Sequence, residues 1–185
     1  MNHTGTVKLE TDRLVLRKIR LTDTKMVYNN WASDSEVTKY LTWMSHDSID
    51  VTNMIVNMWV NGYKNSNFYQ WGIVVKEDNQ LIGTISSVAI DEKAKSIEVG
   101  YCISKKYWNK GYVSEALKAV IDYFFNSVLV HSVKARCDKE NTGSSKVMEK
   151  CKMKYTHTTT DKNNTNNPCV CLNYEITKEE YNEKD

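Results

Sequence analysis

The sequence predicts a mixed α/β fold built on a mostly antiparallel central sheet flanked by helices, and three observations carry that prediction. Three β-type segments in the middle of the chain follow one another at hairpin spacing. One long amphipathic helix comes next, and a strand, a helix and two more strands complete the run. Glycine and proline number only 7 and 1, so regular structure should dominate.

Taken in order, Leu14 and Leu16, with Ile19 beyond them, suggest a first strand, and Thr22 or Asp23 can cap a helix running toward Trp31. A short helical turn follows over 36–41. Asp47 or Ser48 caps the next helix, in which Val51, Met54, Ile55, Met58 and Trp59 recur at helical spacing and stop before Gly62. That stripe reads as core rather than as a binding face. Strands at 71–75, 81–90 and 96–103, separated by polar turns at 77–80 and 91–95, form an antiparallel meander. Val113, Ala116, Leu117, Val120, Ile121, Phe124 and Phe125 then make one continuous apolar stripe, the clearest helix in the chain. A strand at 132–137, a helix at 142–151 and strands at 154–159 and 170–176 complete it.

A chain of 185 residues argues for one domain spanning 1–185. Lys plus Arg number 25 against 23 Asp plus Glu, a net +2 that argues against nucleic acid as a partner held through net charge. Hydrophobic residues at 41%, charged residues at 26% and a mean hydropathy of −0.56 describe a globular chain rather than a disordered one. No apolar run approaches the ~20 residues of a membrane-spanning helix, and the opening MNHTGTVKLETD has no apolar signal-peptide region. The expectation is a cytoplasmic protein that does not engage a membrane. Five cysteines suit no complete disulfide framework. Cys102, Cys137 and Cys151 read as small core residues. Cys169 and Cys171 form a C-x-C on one strand face with no second pair or His cluster at zinc spacing, so no metal is expected.

The chemistry concentrates in Gly100-Tyr101-Cys102-Ile103-Ser104-Lys105-Lys106-Tyr107-Trp108-Asn109-Lys110-Gly111-Tyr112-Val113-Ser114-Glu115-Ala116, which reads as a strand, a basic loop and a helix start. The first turn of a helix offers unpaired N–H groups and the positive end of a dipole, which suits a phosphate. Gly111, having no Cβ, lets a ligand reach them. Lys105, Lys106 and Lys110 add positive charge, although such a loop also serves merely to solvate a helix start. Neither G-x-x-x-x-G-K-[ST] nor G-x-G-x-x-G is present.

This loop resembles the acetyl-CoA pyrophosphate loop of the GNAT acetyltransferase superfamily, Q/R-x-x-G-x-G/A, with Trp108, Gly111 and Val113 at the marked positions. Trp108 replaces the usual polar residue and Val113 the second small one. Thr11-Asp12-Arg13-Leu14-Val15-Leu16-Arg17 and Asp34-Ser35-Glu36-Val37-Thr38-Lys39-Tyr40-Leu41 resemble the opening of its Rim-type branch, which includes ribosomal-protein N-terminal acetyltransferases. Glu98-Val99-Gly100-Tyr101 is similar to that branch's fourth strand, and Asn141-x-x-Ser144-x-x-Val147-Met148-Glu149-Lys150 to its later signature. The order and separation of these pieces cover nearly the whole chain.

The resemblance implies a GNAT fold whose fourth and fifth strands splay apart to admit the pantetheine arm of acetyl-CoA. It places Tyr101, Cys102 and Ile103 along that arm, the amides of Asn109, Lys110, Gly111, Tyr112, Val113 and Ser114 on the pyrophosphate, and Asn141 beside the pantetheine. It implies direct transfer of acetyl to an amine, which needs a base for the ammonium proton and help for the leaving thiolate. Strand alternation sets Glu98, Gly100 and Cys102 opposite Ile97, Val99, Tyr101 and Ile103, so Glu98 is a candidate base, perched equally well as an ion-paired surface glutamate. The tyrosine many members carry seven residues after the Asn is Met148 here, and Ser144 is the candidate to hydrogen-bond the CoA sulfur, or else a helix-end hydroxyl satisfying local backbone. His157 is an ordinary histidine, and Lys152 replaces a glycine common after this helix.

Acceptor specificity is expected from the first helices and the last hairpin, which contain Trp31, Tyr40, Trp43, His46, Trp59 and Tyr63. The leading expectation is acetyl transfer to a protein or peptide α-amine by a monomer or homodimer. Polyamine, amino acid or aminoglycoside acceptors remain open, Asp34, Glu36 and Asp47 suiting a cation, and so does a non-catalytic acyl-CoA-binding module.

Overall fold

The structure is a computed structural model that describes residues 1–183. Its strands are β1 (Leu9–Glu10), β2 (Leu14–Arg17), β3 (Gln70–Val75), β4 (Leu81–Asp91), β5 (Ser96–Ile103), β6 (Ser132–Asp138), β7 (Lys154–Lys162) and β8 (Pro168–Thr177). They form one sheet in the order β1-β2-β3-β4-β5-β6-β8-β7. Neighbours are antiparallel except β5 and β6, which run parallel. The helices are α1 (Thr24–Val27), α2 (Ser35–Thr38), α3 (Ile49–Gly62), α4 (Tyr112–Tyr123), α5 (Thr142–Lys150) and α6 (Lys178–Asn182). This is the mixed, mostly antiparallel sheet with flanking helices that the sequence predicts.

Two apolar cores lie on the two faces of the sheet. One joins Leu14, Trp71, Ile85, Ile97 and Val99 to the α4 stripe, of which Ala116, Leu117, Val120 and Phe124 are fully buried. Leu117, Val120 and Phe124 each contribute about 1.5–3 kcal/mol by leaving water, enough to make α4 the anchor of that face. The other joins Ile19, Val27, Trp31, Val56, Val74 and Leu81.

β5 and β6 pair only from Ser96↔Ser132 to Val99↔Ala135, although β5 continues to Ile103 and β6 to Asp138. Beyond that point they diverge, and these are the two strands expected to splay. They are fifth and sixth here because the two-residue β1 precedes the predicted first strand.

Several expectations need correction. The helix toward Trp31 is three short pieces, a 3-10 turn at Leu21–Asp23, then α1, then a π turn at Tyr28–Ala32. Asp23 does not cap it forward; the buried carboxylate accepts from the Arg20 N–H at 2.8 Å and grips Arg17 at 2.7 and 3.0 Å. Ser48 caps α3 through the Val51 N–H. The α3 stripe is not core, for Met54 is 73% and Met58 56% exposed, and the helix buries Thr52 and Val56 instead. Thr52 hid that face from a reading of apolar periodicity, because its hydroxyl is satisfied by His46 Nδ1 at 2.7 Å. The last two strands run longer than expected, since their ladder continues to Lys162↔Pro168. α6 was not anticipated, yet Thr177 and Glu180 cap it reciprocally in the T-x-x-E pattern that marks a helix start.

Candidate active site

β5 ends in a 3-10 turn at Lys105–Tyr107, and the chain then reverses into α4. Asn109 and Gly111 both take left-handed backbone, with φ of 59° and 80°. Gly111 occupies the N-cap, where it has no side chain to satisfy the first-turn amides, so those donors face outward beside the helix dipole. The loop is held from behind. Arg13 donates to the Lys110 carbonyl at 3.0 Å, lies 4.5 Å from the Tyr112 ring centre, and binds Glu115 at 2.6 Å. Trp108 Nε1 donates to the Ile103 carbonyl at 2.9 Å, which ties the loop to the end of β5 and gives the tryptophan a structural task in place of the usual polar residue.

A cavity of about 490 Å³ opens over this loop. Tyr101, Cys102 and Ile103 line it from β5, Asn109, Gly111, Tyr112, Val113 and Ser114 from the loop and helix, and Asn141 from α5's N-cap. Lys110 lies outside it, with its ammonium 5.3 Å from the Tyr107 ring centre. Lys105 is also outside, paired with Glu36. The cations at this wall are Lys146 and Lys150, which sequence reasoning missed; their i, i+4 spacing on α5 was the available signal.

A second cavity of about 600 Å³ lies on the face bearing α3. Its floor is the cross-strand row Gln70–Ser86–Gly100 with the neighbouring pair Thr84–Cys102. Trp31, Tyr40, Trp43, His46 and Trp59 wall it, together with Met58. Tyr63 is absent from that wall, because its hydroxyl accepts from the Ile19 N–H and donates to the Gln70 carbonyl, both at 2.8 Å. Burial holds the His46 imidazole below its usual range, so it is neutral at pH 7. Among the described residues lining this cavity, the charged side chains are Glu98 and Arg136, and they pair at 3.0 Å. Arg136 also binds Asp161. Glu98 thus has both attributes left open by its position, facing the cavity and being ion-paired. The acidic residues that suggested a cationic acceptor are elsewhere: Asp34 caps α2, Glu36 pairs with Lys105, and neither Asp34 nor Asp47 lines this space. His157 lies outside both cavities.

The two cavities meet at the splay. Tyr101, Cys102, Asn141 and Ser144 line both, as do Tyr40 and Leu41 from the segment after α2. Asn141 Oδ1 caps α5 by accepting from the Ser144 N–H at 3.2 Å. The Ser144 hydroxyl does not serve local backbone; it meets the Tyr101 hydroxyl at 2.9 Å. Burial raises the Tyr101 phenol above the usual tyrosine range, so it stays protonated. Burial also pushes the Cys102 and Cys137 thiols up to about 11, which keeps both from serving as thiolate nucleophiles near neutral pH.

This geometry, a first-turn anion site leading through a splayed strand pair into a second cavity, coincides with a match along the chain. Residues 13–154 fit the family model described as an acetyltransferase (GNAT) domain. The chain belongs to the GNAT acetyltransferases. An N-acetyltransferase from Bacillus licheniformis named p20, described as uncharacterized, is 35% identical over 144 residues, covering 76% of this chain and 78% of its own. Among solved structures, a GNAT-family acetyltransferase from Bacillus anthracis superposes with a TM-score of 0.82 at 29% identity, covering 94% of this chain and 99% of that one. The microcin C7 self immunity acetyltransferase MccE, solved in complex with acetyl-CoA and AMP, shares the fold with a TM-score of 0.82 at 16% identity, covering 90% of this chain and 93% of that one. This GNAT chain is an N-acetyltransferase, an acyl-transferring enzyme. Among the described residues no three His, Cys, Asp or Glu side chains gather as a metal site, and no helix is long and apolar enough to cross a membrane.

Proposed function

We propose that this GNAT enzyme, as one domain over 1–185, is of the Rim-type branch and transfers acetyl directly from acetyl-CoA to the α-amine of a protein or peptide. The observation that carries this reading is the meeting of two cavities, one over the Gly111 loop and one over the β3–β5 floor, at Tyr101, Cys102, Asn141 and Ser144. A donor and an acceptor seated in them are held together at one point, which turns an encounter into a positioned reaction.

The residues present suit acetyl-CoA: uncapped amides at Tyr112–Ser114 for a pyrophosphate, Lys146 and Lys150 for its charge, and the unpaired edge of β5 for the amides of pantetheine. Acetyl-CoA supplies the activated thioester. Asn109 and Gly111 through Ser114 hold its phosphates, Tyr101 through Ile103 run beside its arm, and Asn141 steadies that arm from α5. Glu98 takes the ammonium proton, directly or through a water. Ser144, itself oriented by Tyr101, donates to the developing thiolate in the place a tyrosine fills in many relatives. The high thiol values of Cys102 and Cys137 support direct transfer over an acyl-cysteine route.

The acceptor cavity favours an uncharged body. Its one carboxylate already has an arginine partner, so a polyamine or aminoglycoside with several ammonium groups would find its remaining charges uncompensated. The test is thiol release from acetyl-CoA with a panel of peptides, amino acids, polyamines and aminoglycosides, with mass spectrometry locating the acetyl group. Acetylation confined to α-amines is expected. A panel in which polyamines or aminoglycosides are the better acceptors overturns the α-amine reading.

A further inference from the structure

One side chain in the acceptor cavity is better fixed than its surroundings and has nothing to bind. Gln70 is 5% exposed, and its Nε2 is the one buried side-chain nitrogen or oxygen among the described residues without a hydrogen-bond partner. Its backbone is held on both sides by other side chains. The N–H donates to Thr6 Oγ1 at 2.9 Å, and the carbonyl accepts from the Tyr63 hydroxyl at 2.8 Å, a phenol that burial pushes up to about 12. The residue lines the cavity from the row Gln70–Ser86–Gly100, two strands away from the strand that carries Glu98. At the usual strand spacing that is about 10 Å across the floor, a gap that a glutamine side chain and a small acceptor together can span.

A buried amide left without a partner costs about 1–3 kcal/mol, an amount a fold does not spend on a position that Met or Leu would fill as well. Ser86 and Gly100 continue its cross-strand row, and both line the same cavity. We infer that Gln70 is the specificity residue of the acceptor site, donating its Nε2–H to an oxygen of the acceptor, so that the enzyme selects amines bearing a carbonyl close to the nitrogen. This rests on the acetyl-transfer reading above and narrows it. A peptide terminus or an amino acid amide has such an oxygen; a polyamine and a simple alkylamine do not. The aromatic walls then accommodate the apolar remainder of the acceptor.

The experiment compares wild type, Gln70→Met and Gln70→Glu on three amines: an amino acid amide, the alkylamine of the same skeleton lacking the carbonyl, and spermidine. Thiol release gives kcat and KM for each, and circular dichroism with a thermal melt verifies the fold of each variant. Wild type should prefer the amide over the alkylamine by about tenfold in kcat/KM, mostly through KM, the worth of one hydrogen bond that leaves a buried partner unpaired when lost. Gln70→Met should reduce that preference to within about twofold, through a raised KM for the amide, and its Tm should not fall. Gln70→Glu, keeping the shape but presenting oxygens, should lower it further. Equal preference in wild type and Gln70→Met overturns the inference while acetyl transfer stands, and so does tighter binding of the amide by Gln70→Glu. Wild type that releases thiol with none of the amines overturns the acetyl-transfer reading and this inference with it.

Discussion

The hydroxyls of Tyr101 and Ser144 meet at 2.9 Å, one carried by β5 and the other by the first turns of α5. The contact spans the place where β5 and β6 part, and it leaves Ser144 oriented toward the junction of the two cavities. Ser144→Ala should lower kcat by up to ~10², the usual range for a lost proton donor. Tyr101→Phe removes the orienting partner and should cost about tenfold. Steady-state thiol release measures both, and a Ser144→Ala enzyme with unaltered kcat would return the residue to a structural role.

Gly111→Glu should weaken acetyl-CoA binding by more than tenfold. The site combines φ of 80°, where a side chain is strained, with a Cβ position 3.4 Å from Arg13 Nη2, and the new carboxylate would face the phosphates. Calorimetric titration of the folded variant is the measurement. Unchanged affinity would refute the loop assignment.

Glu98→Gln keeps the shape beside Arg136 and removes the base. It should lower kcat by about 10² with little change in the KM for acetyl-CoA, because the side chain faces the acceptor cavity alone. A variant as fast as wild type would leave Glu98 as an ion-pair partner only.

Glu115 links pH to stability. Burial works against its charge, yet the Thr11 hydroxyl at 2.5 Å, the Arg13 N–H at 2.9 Å and the Arg13 guanidinium hold the carboxyl below its ordinary value. A depressed folded value means that the stabilisation is present in full above the unfolded value of 4.5 and is lost as pH falls through the folded one. Glu115→Gln should therefore cost about 2 kcal/mol at pH 7, or roughly 4–8 °C in Tm, and the difference from wild type should vanish in acid. Melts from pH 3 to 8 measure it. Parallel curves across that range would contradict the assignment.

Lys152→Gly should stabilise the fold. Lys152 adopts φ of 61° directly after α5, a conformation that costs a side-chain-bearing residue about 1–2 kcal/mol, part of which glycine returns as backbone entropy. A net gain of about 0.5–1 kcal/mol, seen as a rise of roughly 2 °C in Tm, is expected. The turn is thus the one a glycine would make, although the sequence has lysine there.

Much of the fold was legible because burial imposes a period. The α4 stripe buries one face at helical spacing, and the meander strands, buried on both faces in β3 and the start of β4, stand out as short apolar runs between polar turns. α3 misled because it carries apolar residues on two sides, and the side facing water belongs in part to a cavity. The Gly111 loop was readable since its chemistry is local in sequence. Arg136 and Gln70 were not, for they enter the second cavity from β6 and β3, and only the pairing of strands brings them to one site. Ser144 could be nominated from its motif, but its partner Tyr101 required the splay to be seen.

That parting of β5 from β6 after Val99 and Ala135 also sets how the enzyme can be blocked. A chemical chimera, with coenzyme A joined covalently to an acceptor through its sulfur, would thread the breach and be clasped from both sides at once. Its grip should far exceed that of either half.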